Sequence, residues 1–315
     1  MATAFLVFRP SALAAQSQAD AENAPPPTAT DEADAVDTEG SAADEPARPS
    51  SAFRLDPIII TATRTEKPLF DVPAFTNLIT AHDIRERLYR TIPDALRDVP
   101  GIMVQKTGYG QGSPYIRGFT GFRNLFLIDG IRLNNSVFRD GPNQYWNTVD
   151  PYSIDRLEIV KGPSSVLYGS DAIGGTVNAI TEGPNEFGEG FNIGGRAFYR
   201  VASAERSHTF RGEIDLAWDQ SLGLYAGGTY KHFGDLESGA GRQDQTAYDE
   251  LNGDFKAEYR LSPQTRLVIA HQRVDVDDAW RTHRTIFAQP YEGTEVGDEL
   301  RRVLDQNREL TYAQL

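Results

Sequence analysis

The sequence predicts an α+β domain followed by antiparallel strands of a β-barrel, and three observations carry that prediction. Between residues 74 and 181, short helix signals alternate with strand signals, punctuated by Pro and Gly. After Gly188 the pattern changes to period-two alternation, with apolar residues on one face and polar or charged residues on the other. No stretch approaches the roughly 18 apolar residues of a membrane-crossing helix, so any passage through a bilayer falls to short alternating strands.

Composition narrows the function classes. At 315 residues the chain can hold two ordinary domains. It carries 31 basic and 45 acidic residues, a formal net charge of −14, which argues against nucleic-acid binding and against a basic membrane-surface patch. Cysteine is absent, so there is neither a disulfide framework nor a thiolate metal site. The histidines (His82, His208, His232, His271 and His283) are scattered without the HExxH spacing of a zinc site. No catalytic constellation, metal site or resident cofactor is expected. Gly108-Tyr109-Gly110-Gln111-Gly112 lacks the GK[ST] ending and the strand–helix setting of a phosphate loop.

From the N-terminus, residues 1–15 read as the remnant of a secretory signal with a small-residue cleavage site, although a basic start is missing and Arg9-Pro10 interrupts the apolar run. A disordered N-terminus is the alternative. Residues 16–54 are an acidic Ala/Pro-rich linker, too polar to offset its ordering entropy and expected to be disordered. Residues 55–63 break that pattern: Ile58-Ile59-Ile60 favours an extended strand, and Pro57 opposes a helix.

In the α+β region, 64–187, the expected order is a strand over 74–80, a helix over 81–89, and a second helix over 93–98 with Thr91 as N-cap and Pro100-Gly101 as stop. Strands follow over 103–106, 113–117, 124–129 and 155–161. Asp129-Gly130 signals a hairpin, and Gly174-Gly175 a tight backbone approach before a last strand over 176–181. Beyond Gly188, Phe191, Ile193, Ala197, Tyr199 and Val201 oppose Asn192, Arg196 and Arg200. Phe210, Ile214, Leu216 and Trp218 oppose Thr209, Arg211, Glu213 and Asp215. The alternation is cleanest over 253–261 and ambiguous over 265–276. Connections near 203–206, 219–221 and 261–264 are short, whereas 234–250 and 279–306 are long and polar, the asymmetry of an outer-membrane barrel. A soluble β-sandwich would also alternate.

Four blocks carry a closer likeness: Thr91-Ile92-Pro93-Asp94-Ala95-Leu96-Arg97-Asp98-Val99-Pro100-Gly101-Ile102, Tyr115-Ile116-Arg117-Gly118-Phe119, Leu125-Phe126-Leu127-Ile128-Asp129-Gly130, and the long run Ile154 to Asn178 containing Arg156-Leu157-Glu158-Ile159-Val160-Lys161-Gly162-Pro163. In this order and spacing they resemble the plug domain of TonB-dependent outer-membrane receptors. The resemblance implies a plug over 64–187 that corks a barrel in the outer membrane of a Gram-negative-type bacterium. It also implies a TonB box in Asp56, Pro57, Ile58, Ile59, Ile60, Thr61 and Ala62 that pairs with TonB by β-augmentation. An ordinary buried first strand is the alternative there.

The resemblance further associates Arg117, Arg156 and Lys161 with plug–barrel ion pairing; the alternative for Arg156 and Lys161 is solvated strand-end charge. Apical ligand contacts are expected from Tyr109 and Gln111, and from Phe138, Arg139, Tyr145 and Trp146, where aromatics beside a cation suit a bulky ligand unless the rings pack the plug instead. The partners implied are TonB with its inner-membrane energising complex, outer-membrane lipid, and an extracellular ligand such as a ferric siderophore. Haem, cobalamin, or surface capture without transport are the other readings, and chemical conversion is not expected. Such barrels close with about 22 strands, whereas residues 188–315 suffice for five or six, so a truncated barrel, and hence a fragment, is expected.

Overall fold

The computed structural model describes residues 2–8, 57–72, 74–135, 140–142, 144–239, 241–288, 290 and 295–315. The acidic linker, Asp56, Phe138 and Arg139 lie outside the described residues.

The plug is built on a five-stranded mixed sheet in the order Thr76–Thr80, Ile154–Lys161, Gly175–Thr181, Asn124–Ile128, Ile131–Arg132. Only the Gly175–Thr181 and Asn124–Ile128 pair is parallel. The first helix, Ala81–Arg87, starts at a capping box in which Thr80 Oγ1 accepts from the Asp83 backbone and Asp83 accepts from the Thr80 backbone. It ends two residues before the expected Tyr89 because Leu88 turns left-handed, with φ 54°. The second helix, Ile92–Arg97, carries the expected Thr91 cap and a proline in its first turn. Asp129 and Gly130 both have positive φ, 49° and 81°, which forms the tight turn between two strands that the pair signalled. A separate hairpin, Ile102–Gly108 with Gln111–Ile116, rises from the sheet.

The plug core lies between this sheet and the helices: Ile84, Ile92, Leu96, Ile116, Phe126 and Leu157 are among its fully buried members. Such side chains stabilise by about 1.5–3 kcal/mol each when buried. At Gly175, any Cβ would sit 2.7 Å from the Val160 carbonyl oxygen. This close approach is why the strand opens on glycine.

Six antiparallel strands follow: Phe191–Ala202, Ser207–Trp218, Leu222–Phe233, Tyr248–Ser262, Thr265–Asp277 and Gln306–Gln314, each paired with the next. They form a wall whose polar face packs on the plug. Arg200, Arg211 and Lys231 are buried there, while Phe210, Ile214, Trp218, Tyr230, Phe255 and Tyr259 are exposed on the outer face. The alternation expected from sequence therefore maps onto plug-facing and outward-facing sides, and 265–276, ambiguous by pattern, is a full strand.

The outward face is also banded. Register places Tyr199, Phe210, Tyr230 and Leu251 side by side near one end, and Phe191, Trp218, Leu222 and Tyr259 near the other. The eight-residue offset between the rows corresponds to roughly 26 Å along a strand, comparable with the apolar band of an outer-membrane barrel.

Residues Ala2–Phe8, which read as a secretory segment, form a strand antiparallel to the outer edge of Phe191–Ala202. That edge presents unpaired backbone N–H and C=O groups, which favour an added strand. No helix among the described residues is long and apolar enough to cross a membrane.

Candidate functional site

Three constellations converge on the plug: its seat against the wall, the pinned segment at residues 58–61, and an apical cavity.

The seat is ionic, and the plug supplies mainly the acids. Asp150, on the short 3-10 turn before the Ile154–Lys161 strand, places its carboxylate 2.9 Å from Lys231 Nζ and 3.6 Å from Arg211. Lys231 also pairs with Glu250 at 2.7 Å, and Arg211 with Asp254 at 3.0 Å, so two cations are shared among three carboxylates; Asp150, Glu250, Lys231 and Arg211 are all buried. Burial pushes the Asp150 carboxyl up, but the adjacent Lys231 and Arg211 outweigh it and hold the group below its ordinary value.

Glu182 pairs with Arg196 of the wall at 2.9 Å and with Arg85 of the first helix at 2.8 Å. Asp129, at the hairpin turn, accepts from Tyr312 at 2.5 Å and lies 3.6 Å from Lys256. Arg90 reaches Glu205 at 2.8 Å. The main apolar contribution from the wall to the plug core is Phe198, edge-on to Tyr152 at 4.9 Å.

Arg117, Arg156 and Lys161 make their described contacts inside the plug. Arg117, at φ 52°, lies over Phe75 at 5.1 Å. Arg156 pairs with Asp155 and Glu158, and Lys161 donates to the Pro100 carbonyl at 2.9 Å. A wall-contacting role for these cations rests on the resemblance alone. Asp129, Asp150 and Glu182 were not singled out by sequence as wall contacts, because an isolated acid carries no positional signal until its cationic partner is known.

The segment singled out around Ile58-Ile59-Ile60 is pinned. Ile58–Ile59 pairs antiparallel with Lys67–Pro68, and Ile59 is 1% exposed. Glu158 Oε2 accepts from the Ile60 backbone N–H at 2.9 Å, the Thr61 N–H at 2.8 Å and Thr61 Oγ1 at 2.7 Å. Tyr168 donates to the Thr61 carbonyl at 2.7 Å, and Asn178 Nδ2 to Thr61 Oγ1 at 3.1 Å.

The apical cavity, of about 260 Å³, is lined by Gln105, Thr107, Gln111 and Gln144 of the plug and by Arg281, His283, Arg284 and Arg302 of the loop after the fifth wall strand. Gln111 is buried, donates to the Ala279 carbonyl and accepts from Arg281 at 3.3 Å, so it ties plug to loop. Burial, then Arg302, Arg281 and Arg284, lower the basicity of His283, so it stays neutral to a lower pH than an ordinary imidazole. Glu299 lies 2.6 Å from Arg302.

A larger cavity, of about 900 Å³, opens beside the two helices. Several of its cations are already matched: Arg87 by Asp98, Arg90 by Glu205, Lys106 by Asp94.

Tyr109 stands at the hairpin tip, with Arg90 over its ring at 4.5 Å and Phe233 at 6.5 Å. Gly108 and Gly110 flank it because a Cβ at either would meet Trp280 or Tyr248 at 2.9 and 3.3 Å; the glycines serve close approach to the wall. Tyr145 is half-buried beside the cavity-lining Gln144. Trp146 is fully buried and stacks on Phe126 at 4.4 Å, so it packs the core instead of meeting a ligand. By sequence the loop over 279–306 reads as long and polar, its arginines accompanied by five acidic residues. Its signal was the run Arg281, His283, Arg284 and the Arg301-Arg302 doublet in an otherwise acidic chain. Among the described residues no cluster of acidic and histidine side chains could hold a metal ion.

Residues 68–176 match the family model of the TonB-dependent Receptor Plug Domain. The chain belongs to the TonB-dependent receptor family. It is 41% identical over 129 residues to the Vitamin B12 transporter BtuB of Vibrio vulnificus, covering 40% of this chain and 20% of that protein. To the Iron-regulated outer membrane virulence protein of Vibrio cholerae it is 32% identical over 218 residues, covering 67% of this chain and 32% of that protein. The chain thus spans a third or less of these relatives.

Pseudomonas aeruginosa FpvA, solved with a heterologous pyoverdine and iron, superposes with a TM-score of 0.62 at 19% identity over 81% of this chain and 33% of that one. The copper transporter OprC superposes with a TM-score of 0.56 at 23% identity over 66% of this chain and 31% of that one. Both likenesses concern the fold: a TonB-dependent receptor plug seated on the strands of an outer-membrane barrel.

Proposed function

We propose that this TonB-dependent receptor imports an anionic iron chelate, a ferric siderophore, across the outer membrane. The apical cavity captures the chelate, the segment at residues 57–61 engages TonB by strand addition, and the inner-membrane complex energises displacement of the plug. The receptor binds and moves its cargo without chemical conversion.

The observation that carries the ligand class is the cationic rim. Arg281, Arg284 and Arg302 face a floor of amide and hydroxyl groups, and a neutral His283 adds no repulsion toward iron. Arginine forks on a chelate's ionised oxygens supply charge-assisted hydrogen bonds of about 1.5–3 kcal/mol each. The polar seat supports release of the plug, since each of its ions can exchange its partner for water once the channel hydrates.

Cobalamin is the second reading, favoured by the 41% identity to a vitamin B12 transporter, which spans 40% of the chain. A largely uncharged ligand would make little use of three arginines. Equilibrium binding of ferric siderophores of graded net charge, with cyanocobalamin as comparator, separates the two. Replacing Arg281 and Arg302 together by Ala is expected to weaken binding of the anionic chelates by on the order of 100-fold and to leave cyanocobalamin unaffected. Tight cyanocobalamin binding with no response to the anionic chelates would overturn the siderophore reading.

A further inference from the structure

We propose that Glu158 is a carboxylate clasp that holds residues 60–61 on the plug and thereby sets how often the segment before them is free for its partner. The inference rests on the reading of 57–61 as the TonB-binding strand.

Glu158 is 1% exposed on the Ile154–Lys161 strand, and its two oxygens divide the work. Oε1 accepts from Arg156 Nε at 2.9 Å, inside the plug. Oε2 is given over to the segment: two backbone N–H groups and the Thr61 hydroxyl converge on it at 2.7 to 2.9 Å. A strand-adding segment must offer its own N–H and C=O groups to a partner. While Glu158 holds the N–H groups of 60 and 61, and Tyr168 the carbonyl of 61, those backbone groups are unavailable. Ile59, packed to 1% exposure beside them, is shielded by the same contacts.

The clasp is built to open. If residues 57–61 peel away, Oε2 meets periplasmic water while Oε1 keeps Arg156, so no unpaired charge is left buried. The grip is therefore strong enough to bias a two-state segment, and its release leaves no lasting penalty in the plug. Asn178 links the clasp to the plug's seat. Its Nδ2 donates to Thr61 Oγ1, its Oδ1 accepts from the Gly130 N–H at 3.1 Å, and the neighbouring Asp129 is the residue held by Tyr312 and Lys256 of the wall.

The native chain has no cysteine, so Ile59→Cys provides a single reporter whose maleimide labelling rate in outer-membrane preparations reads segment release. Glu158→Gln, which exchanges charge-assisted hydrogen bonds for neutral ones of about half the strength, is expected to raise that rate about tenfold. Thr61→Val, on the other side of the contact, is expected to raise it about threefold by removing the hydroxyl donor. Val177→Cys, at a fully buried position of the plug core, reports whether the plug stays folded and should remain unlabelled in either variant.

Equal Ile59→Cys rates in the parent, Glu158→Gln and Thr61→Val overturn the clasp. If Glu158→Gln exposes the core reporter, Thr61→Val alone decides. Binding of the purified periplasmic domain of TonB then tests the underlying reading separately. Faster labelling with tighter TonB binding supports both claims, whereas faster labelling with unchanged TonB binding keeps the clasp and removes TonB as its beneficiary.

Discussion

At the scale of single residues, Asp150 concentrates the physics of the seat. It is a plug carboxylate, fully enclosed, that survives as an anion because Lys231 and Arg211 of the wall stand beside it. Its folded value is held below the unfolded carboxylate value of about 3.9. The stabilisation it provides is therefore complete above that unfolded value and is lost as pH falls through the depressed folded one. Protease sensitivity of the plug in membranes titrated from pH 7 to pH 3 should rise only below about pH 4, and Asp150→Asn should remove this part of the response. Lys231→Met should cost more, about 3–5 kcal/mol, since it strips buried Glu250 of its cation and leaves Asp150 with Arg211 alone, 3.6 Å away. Urea midpoints of plug release would reveal the difference. None of these pairings was legible in the sequence. An acid at 150 and a base at 231 belong to different elements, and only the fold brings them within hydrogen-bonding distance. Arg117, Arg156 and Lys161 stood out because they sit in recognisable motifs, and motif membership does not say where a side chain points.

At the scale of elements the sequence was far more explicit, for a physical reason: strand alternation and helix caps are local. Thr91 caps its helix with Pro93 in the first turn, and Asp129-Gly130 forms its turn with positive φ at both residues, signals that lie within a few residues of the element they shape. The wall strands declare their two faces because one must satisfy lipid and the other a polar plug. What local pattern could not supply was the use of an individual ring. Trp146 and Tyr145 are adjacent aromatics with the same sequence character, yet one is buried on Phe126 and the other is half-buried beside the cavity. Sequence could say of the glycines of 108–112 only that they do not form a phosphate loop; their role is fixed by how near Trp280, Tyr248 and Pro93 come.

The wall assignment makes a quantitative prediction. Ile214 lies between the aromatic rows on the outward face, so Ile214→Arg should destabilise the inserted receptor by about 2–4 kcal/mol. The same change at Trp218, in the row itself, should cost about 1 kcal/mol or less in charge burial. Equilibrium folding into lipid vesicles would measure both, and equal costs would place the band elsewhere.

Across the whole molecule, an arginine-lined mouth, an ionic seat and a pinned strand are joined. The mouth is lined by Arg281, Arg284 and Arg302, although the loop that carries them holds five acidic residues to four arginines. The seat is polar enough to be hydrated, and the pinned strand is held by contacts that open without leaving a buried charge. Six wall strands pack on one side of the plug, while receptors of this kind close with about 22. We propose residues 57–61 as the handle through which transport is driven, separate from the place where cargo binds. Ile59→Pro removes a backbone donor and prevents strand addition without touching the apical cavity. Accumulation of iron-55 delivered as the ferric siderophore, measured in cells expressing this receptor alongside surface binding of the same chelate, tests the claim directly. The account predicts that Ile59→Pro abolishes accumulation while surface binding stays at the parent level; undiminished accumulation would contradict it.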